Sequence, residues 1–507
     1  MNNFVQNPLW SGAELIAALC QANAFANWQG NWHGEWQASG VSIDSRTLQS
    51  GDIFVALRGD NFDGHDYVDA AITAGAVAVI AKKSYDSGVP PVPYFVVGNC
   101  LQALNDLARV ARARLDKTAK ILALTASVGK TSTKTALTGL LARYGKTHTS
   151  FGNFNNHIGV PLSLARMPRD TQFAVFEIGT SQPGEILPLA QLVAPQFALI
   201  GTIASAHLQY FGTEAAIADE KGFLMNGLVL GDDSAVILDR DGLYFDEFAA
   251  RARHAGVKRI LSYGAHPNAD LCFAAEYFAT HDVTKAANVG INYQGRKFSY
   301  TIPTVGAQHI RVSVAALAGL AAMVPEIDLE QASRSFAAYE PMAGRGKISD
   351  LVLPDGRHIR LIDESYNASP ISMAAAIQQM SWLRSHAAGG RKIAVLGDML
   401  EIGDTSDHEH VKLGQQIAQA PFPIDKIYTV GAASSVIQSV IKPTQRGLHA
   451  DSAEKMLAML LDAKNGLQTG DVVLAKGSHG SKIYQLVEKL IAQSIAGQKQ
   501  KNGGNHV

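Results

Sequence analysis

Gly129, Lys130 and Thr131 carry the most recognisable chemistry in this chain of 507 residues. They sit in the run Lys120-Ile-Leu-Ala-Leu-Thr125-Ala126-Ser127-Val128-Gly129-Lys130-Thr131-Ser132. A small-residue turn followed by a lysine and a hydroxyl suits a polyphosphate. Loop N–H groups and a helix N-terminus favour an anion. Lys130 is spaced to reach the β- and γ-phosphates, and the Thr131 hydroxyl to ligate Mg²⁺. The full phosphate-loop pattern opens with a glycine five residues before Gly129, where this chain has Leu124, so only the shorter T-x-S-x-G-K-T-S form is present. The alternative is an ordinary helix cap carrying a surface lysine.

Other polar residues fall at the ends of apolar runs. Glu177 lies near the end of the run Phe173–Ile178, and His207 lies just past Phe197–Ile203. Ligands of open α/β sheets bind outside the carboxyl ends of the strands, which makes Glu177 a candidate Mg²⁺ ligand and His207 a candidate ligand beside it. A strand-end glutamate in solvent and a packed histidine are the competing readings. Lys221 falls in an expected helix, Glu214–Leu230, where by itself it reads as an exposed lysine. Arg345 lies in the glycine-flanked segment Pro341–Gly346, either a surface turn or a hinge from which an arginine reaches a phosphate across a cleft. Asp44-Ser45-Arg46 and Arg58–His65 suit turns, and equally an anion site with hydroxyl and guanidinium donors.

These residues need a repeating strand–helix scaffold. Ile121–Leu124 reads as a buried parallel strand, and Thr131–Arg143 as a helix with Leu137, Leu140 and Leu141 on one face. Strands are expected at Ile53–Leu57, Val77–Ala81 and Tyr94–Val97, with a helix at Leu101–Arg114; residues 22–37 have no clear pattern. Further along, strands are expected at Ile359–Ile362, Ile393–Leu396, Ile427–Val430 and Val472–Ala475, with a helix at Ile371–Arg384. The alternation predicts an α/β protein of three domains. Domain 1–117 comes first. A central parallel-sheet domain of the phosphate-loop ATPase type spans 118–328. A Rossmann-like domain spans 329–495, and 496–507 reads as a disordered tail.

Composition narrows the function classes. Hydrophobic residues make up 47% and charged residues 18%, enough for sizeable cores. A net charge of −1 gives no global pull toward nucleic acid. Three scattered cysteines, Cys20, Cys100 and Cys272, lack metal-site spacing and fit a reducing compartment. No secretory leader is visible at the N-terminus. The most apolar helix candidate, Val312–Val324, is shorter than the roughly 20 residues a bilayer needs. A soluble cytoplasmic protein is expected.

Taken in order, the motifs resemble the Mur ligases, the ATP-dependent amide-forming enzymes of peptidoglycan precursor synthesis. The similarity runs through Asp44-Ser45-Arg46, Phe54–Leu57, Phe62–His65, Thr125–Ser132, Asn155-Asn156, Gly159-Val160-Pro161, Gly184-Glu185-Ile186, Ala206-His207-Leu208, Phe211-Gly212 and Lys221-Gly222. Asp363–Pro370 and Gly397–Gly403 are similar to runs of the family member that joins D-alanyl-D-alanine to UDP-N-acetylmuramoyl-tripeptide.

The resemblance implies that activity, with an acyl phosphate as intermediate and with ATP and two Mg²⁺ ions as cofactors. A monomer with no nucleic-acid partner is expected. Ser45, Arg46, Asn155, Asn156 and Ser181 would contact the UDP-sugar substrate. Thr125, Ala126, Ser127, Val128, Gly129, Lys130, Thr131 and Ser132 would contact ATP, together with Arg345, Asp363, Tyr366 and Asn367. Thr131 and Glu177 would serve one metal, and His207 with carbamylated Lys221 the other. Lys130, Glu177, His207, Lys221 and Arg345 form the implied catalytic set, with Lys476 a weaker candidate for the closing face. The alternatives are a related amide ligase of the Mur or folylpolyglutamate type with another amine, or a nucleotide-binding homologue without ligase activity.

Four departures stand out. Ala126 replaces a family glycine, and would be strained if that position needs positive φ. Ser181-Gln182 replaces an Asn-His pair. Gly306-Ala-Gln308-His309-Ile-Arg-Val312 lacks an asparagine expected near adenine. Glu364 replaces an aspartate.

Overall fold

A computed structural model describes residues 8–21, 25–29, 35–59, 61–279, 285–304, 306–383, 389–419 and 424–494. The expected tail at 496–507, Asp60 and part of the unassigned 22–37 segment lie outside the described residues.

Among the described residues three larger sheets follow one another along the chain, beside a two-stranded antiparallel pair of Trp10–Ser11 with Gln37–Ala38. The first has five strands in the order Phe25–Gln29, Tyr94–Val97, Ala78–Ala81, Asp52–Val55, Gly40–Ser42. Only the Phe25–Gln29 edge is antiparallel. The helix Cys100–Ala113 covers it, capped by the Asn99 side chain, which accepts from the Leu101 and Gln102 amides.

The central sheet has nine strands. Its parallel part runs Thr147–Thr149, Phe173–Glu177, Lys120–Thr125, Phe197–Ile200, Ala235–Asp239, Arg259–Gly264. The strand Lys120–Thr125 is therefore interior, and both its faces are buried, which is why it reads as an unbroken apolar run. The register sets Glu177 opposite Leu124 and Ile200 opposite Thr125, so the polar strand ends lie side by side. Leu271–Ala279 joins Arg259–Gly264 in parallel, and Lys285–Tyr293 and Arg296–Ile302 then extend the sheet from it as an antiparallel meander. The sequence reading missed this extension. Its signal was period-two alternation, with Tyr300 and Ile302 buried between exposed Lys297, Ser299 and Thr301. The helix Ala307–Met323 packs on the phosphate-loop helix Lys130–Leu141. Its stretch Val312–Met323 is buried throughout, which accounts for its apolar composition without a membrane.

The third sheet has six strands in the order Lys347–Val352, His358–Glu364, Val472–Lys476, Lys392–Gly397, Lys426–Val430, Arg446–Ala450. All its pairs are parallel except the first. The expected helix Glu214–Leu230 ends instead at Gly222 and tightens into a 3₁₀ turn over Phe223–Gly227.

Candidate functional site

The phosphate loop bridges Lys120–Thr125 and the helix Lys130–Leu141. Gly129 caps that helix at φ 79°, a left-handed conformation that glycine adopts without strain. Ala126 is absent from the residues of positive φ, so the strain expected there does not arise. Ser127 ties the loop to the neighbouring strand end. Its amide donates to Thr202 O (2.8 Å), its hydroxyl to Ala204 O (2.8 Å), and it accepts from the Ala204 amide (2.9 Å).

Lys130 Nζ donates to Ala126 O at 2.7 Å and Ser127 O at 3.2 Å. Burial holds its pKa below the ordinary lysine value; Glu177 opposes that shift, and Arg345 adds to it. The Thr131 hydroxyl is buried and has no hydrogen-bond partner among the described residues. Glu177 is 1% exposed. One of its carboxylate oxygens accepts from Asn155 Nδ2 at 2.8 Å; the other lies 3.6 Å from Lys134 Nζ and has no hydrogen-bond partner among the described residues.

Lys134 is a functional neighbour that the sequence reading missed. It is buried, donates to Ser150 O and Gly152 O, and so fixes the loop that carries Asn153–His157. The signal was its place one turn after Lys130 on the same helix face.

A cavity of about 730 Å³ joins these residues to the third sheet. It is lined by Thr125–Thr133, Asn155, Asn156, Glu177, Ser181 and His207 from the central unit, and by Arg345, Tyr366, Asn367, Glu401 and Lys476 from the third. The Arg345 guanidinium lies over the Tyr366 ring, 4.0 Å from its centroid. Lys476 Nζ donates to Asn367 O at 2.9 Å and pairs with Glu364 at 3.4 Å. His207 Nδ1 meets a Glu401 carboxylate oxygen at 2.6 Å; this hydrogen bond holds the Glu401 carboxyl below its usual pKa.

Some expected residues are elsewhere. Asp363 does not line the cavity. Its carboxylate accepts from the Gly344 amide (2.6 Å) and the Ser365 hydroxyl (2.5 Å), so it braces the Arg345 loop from behind. Ser45 and Arg46 also lie outside the cavity, and Arg46 is exposed and paired with Asp44 at 2.7 Å.

Lys221 is not the exposed lysine its sequence suggested. It is buried just outside the cavity lining, with its pKa pushed well down by burial and by Lys130, against the pull of Glu220 and Glu177. Asn156 spends its side-chain oxygen on the amides of Ile158 and Gly159, at the start of the helix Gly159–Ala165.

The helix Ala307–Met323 turns Gln308, His309, Arg311 and Val312 toward the cavity. Gln308 crosses to the third unit and donates to Gln379 at 2.8 Å. Arg311 is held by Asp239 (2.7 Å) and Asp241 (2.9 Å). His309 bonds Tyr339 through Nδ1 at 3.0 Å, and its buried Nε2 has no hydrogen-bond partner among the described residues.

Three family models cover most of the chain. They are the Mur ligase family, catalytic domain (37–127), the Mur ligase middle domain (124–320) and the Mur ligase, glutamate ligase domain (351–479). The UDP-N-acetylmuramoyl-tripeptide–D-alanyl-D-alanine ligase of Bacillus subtilis (strain 168) is 31% identical over 463 residues, covering 90% of this chain and 94% of that one. The chain belongs to the Mur ligase family. Among solved structures, MurF from Acinetobacter baumannii superposes with TM-score 0.78 at 26% identity, covering 95% of this chain and 98% of the other. The MurF ligase of Thermotoga maritima in complex with ADP shares the fold, with TM-score 0.70 at 24% identity, covering 90% and 97%. Like its relatives, this Mur ligase is a three-domain, ATP-dependent ligase.

Proposed function

We propose that this Mur ligase joins D-alanyl-D-alanine to UDP-N-acetylmuramoyl-tripeptide with ATP in peptidoglycan precursor synthesis. The observation that carries the reading is the one cavity in which the phosphate loop, Glu177 and His207 meet Arg345, Tyr366 and Lys476 of the third domain. The relatives' names supply the substrates.

A carboxylate is a poor electrophile. In this reading its oxygen attacks the γ-phosphorus of ATP, ADP leaves, and an acyl phosphate forms. The amine of the dipeptide then attacks the acyl carbon and loses a proton as the amide forms, and inorganic phosphate departs. Lys130 and Arg345 neutralise charge on the phosphoryl group, and the loop amides hold it in line. Closure of the third domain keeps water from the acyl phosphate. The N-terminal domain holds the uridine diphosphate end through Ser45 and Arg46, with Asn155, Asn156 and Ser181 nearer the reacting carboxylate. Asp363 acts indirectly, by fixing the loop of Arg345.

The residues fit Mg²⁺. Thr131 Oγ1 and one oxygen of Glu177 are hard donors, buried and without hydrogen-bond partners among the described residues. Among the described residues no three His, Cys, Asp or Glu side chains cluster as a metal site, so phosphate oxygens and water would complete the shell. His207 and Lys221 would hold the second ion. A lysine whose pKa is pushed down is the neutral amine that adds to CO₂; loss of a proton from nitrogen leaves a carbamate with carboxylate-like oxygens. Bound Mg²⁺ would supply Lewis-acid polarisation of the phosphoryl oxygens and charge neutralisation.

The proposal includes a monomer acting in the cytoplasm, where ATP and both substrates are found. No helix among the described residues is long and apolar enough to cross a membrane. The deciding experiment is phosphate release from ATP in Mg²⁺ with UDP-N-acetylmuramoyl-tripeptide, with and without D-alanyl-D-alanine. Release that needs both substrates is expected. Release with another amino acid or dipeptide only would remove the amine assignment.

A further inference from the structure

The run Gly397-Asp-Met-Leu-Glu401-Ile-Gly403 has no part in the chemistry above, yet it reaches across the domain boundary. Three contacts define the crossing. Glu401 Oε2 lies 2.6 Å from His207 Nδ1. The Gln209 amide donates to Glu401 O at 3.2 Å. Gly403 lies against Gln209, where a Cβ would make an ordinary contact of 3.5 Å with Gln209 Cα. His207 and Glu401 both adopt left-handed backbone, at φ 58° and 62°. Two non-glycine residues in that region facing each other across a boundary mark a geometry that the surrounding contacts impose.

The chemistry of the pair is directional. A carboxylate only accepts, so the proton of this hydrogen bond sits on Nδ1. In a neutral ring with its proton on Nδ1 the lone pair is on Nε2, and His207 lines the cavity. Among the described residues the ring has no other hydrogen-bond partner, so nothing in the central domain fixes its tautomer.

We propose that Glu401 is a positioning residue that orients His207 and sets its tautomer across the domain boundary, so that Nε2 is offered to a cation only when the third domain is closed. Domain closure and completion of the second metal site are then one event, and the acyl phosphate forms only in a site that already excludes water. The inference rests on the assignment of His207 as a cation ligand in the proposed function.

The test uses the full-length enzyme with Mn²⁺ as a paramagnetic probe, a non-hydrolysable ATP analogue and UDP-N-acetylmuramoyl-tripeptide. Mn²⁺ affinity is read by electron paramagnetic resonance for the wild type, E401A, E401Q, H207A and the double variant H207A/E401A. Loss of an outer partner of a ligating histidine typically weakens metal binding about 10- to 100-fold, and E401A is expected in that range. In E401Q the amide oxygen accepts the same Nδ1–H, so a loss of no more than about 3-fold is expected. The double variant should bind no more weakly than H207A. In turnover, raising Mg²⁺ should restore kcat in E401A and leave H207A impaired.

Because the Glu401 side chain is 48% exposed, the melting temperature should not move. Wild-type Mn²⁺ affinity in E401A beside a weakened H207A would overturn the inference and leave the ligand assignment standing. Unchanged affinity in H207A would overturn the ligand assignment itself, and the inference with it. E401Q as weak as E401A would overturn the tautomer role.

Discussion

The methyl of Ala126 faces Gly201, where a Cβ would come within 3.0 Å of it. Alanine at one position is thus accommodated by glycine at the other, and the loop keeps ordinary backbone at residue 126. Ala126→Gly is therefore expected to leave phosphate release within about two-fold, since no strain is relieved. Gly201→Ala should instead destabilise by about 1–3 kcal/mol through overpacking, read as a lower thermal midpoint. Lys130→Ala removes a desolvated cation from the phosphate site. It should lower kcat by about 10²–10³-fold or more, with the circular dichroism spectrum unchanged. Near-normal turnover in Lys130→Ala would remove the site assignment.

At the scale of elements, two carboxylates that border the site have structural work. Glu220, next to Lys221, accepts from the amides of Gly184 (2.8 Å) and Ile186 (2.8 Å) at the start of the helix Ile186–Val193. Glu220→Ala leaves the buried Ile186 amide unpaired and should cost about 1–3 kcal/mol of stability in chemical denaturation. Asp363 braces the Arg345 loop through the amide of Gly344. Asp363→Ala should lower kcat as Arg345→Ala does, and should also lower the melting temperature, which Arg345→Ala should not. An Asp363 variant with full stability and lost nucleotide affinity would restore Asp363 to the direct contacts.

Polar contacts cross from the central to the third domain beside the cavity, Gln308 to Gln379 and His207 to Glu401 among them. Ligands that bridge the central and third domains should tighten the whole molecule. At about 100 times its dissociation constant, a non-hydrolysable ATP analogue contributes roughly 2.7 kcal/mol of stability. A rise in the thermal midpoint of several degrees is expected, and none for Lys130→Ala. Sedimentation should show a single species near the 54.1 kDa chain mass.

The sequence by itself determined the order of elements. The apolar runs that became Ala78–Ala81, Lys120–Thr125 and Val472–Lys476 were legible because interior parallel strands are buried on both faces, and burial leaves a local imprint. The Gly129-Lys130-Thr131 step was legible because its chemistry is contiguous in sequence. Only the tertiary structure decided which polar residues share the cavity. Asp363 and Tyr366 lie three positions apart, yet one faces a loop and the other the cavity, because Asp363 ends an interior strand whose carboxylate is taken by Gly344 and Ser365. Lys221 looked exposed until packing buried it near Glu177, and no local pattern distinguishes a buried lysine from a solvated one. His207 and Glu401 are 194 residues apart. Their meeting depends on where two separately folded sheets dock, which is information that no window of sequence contains.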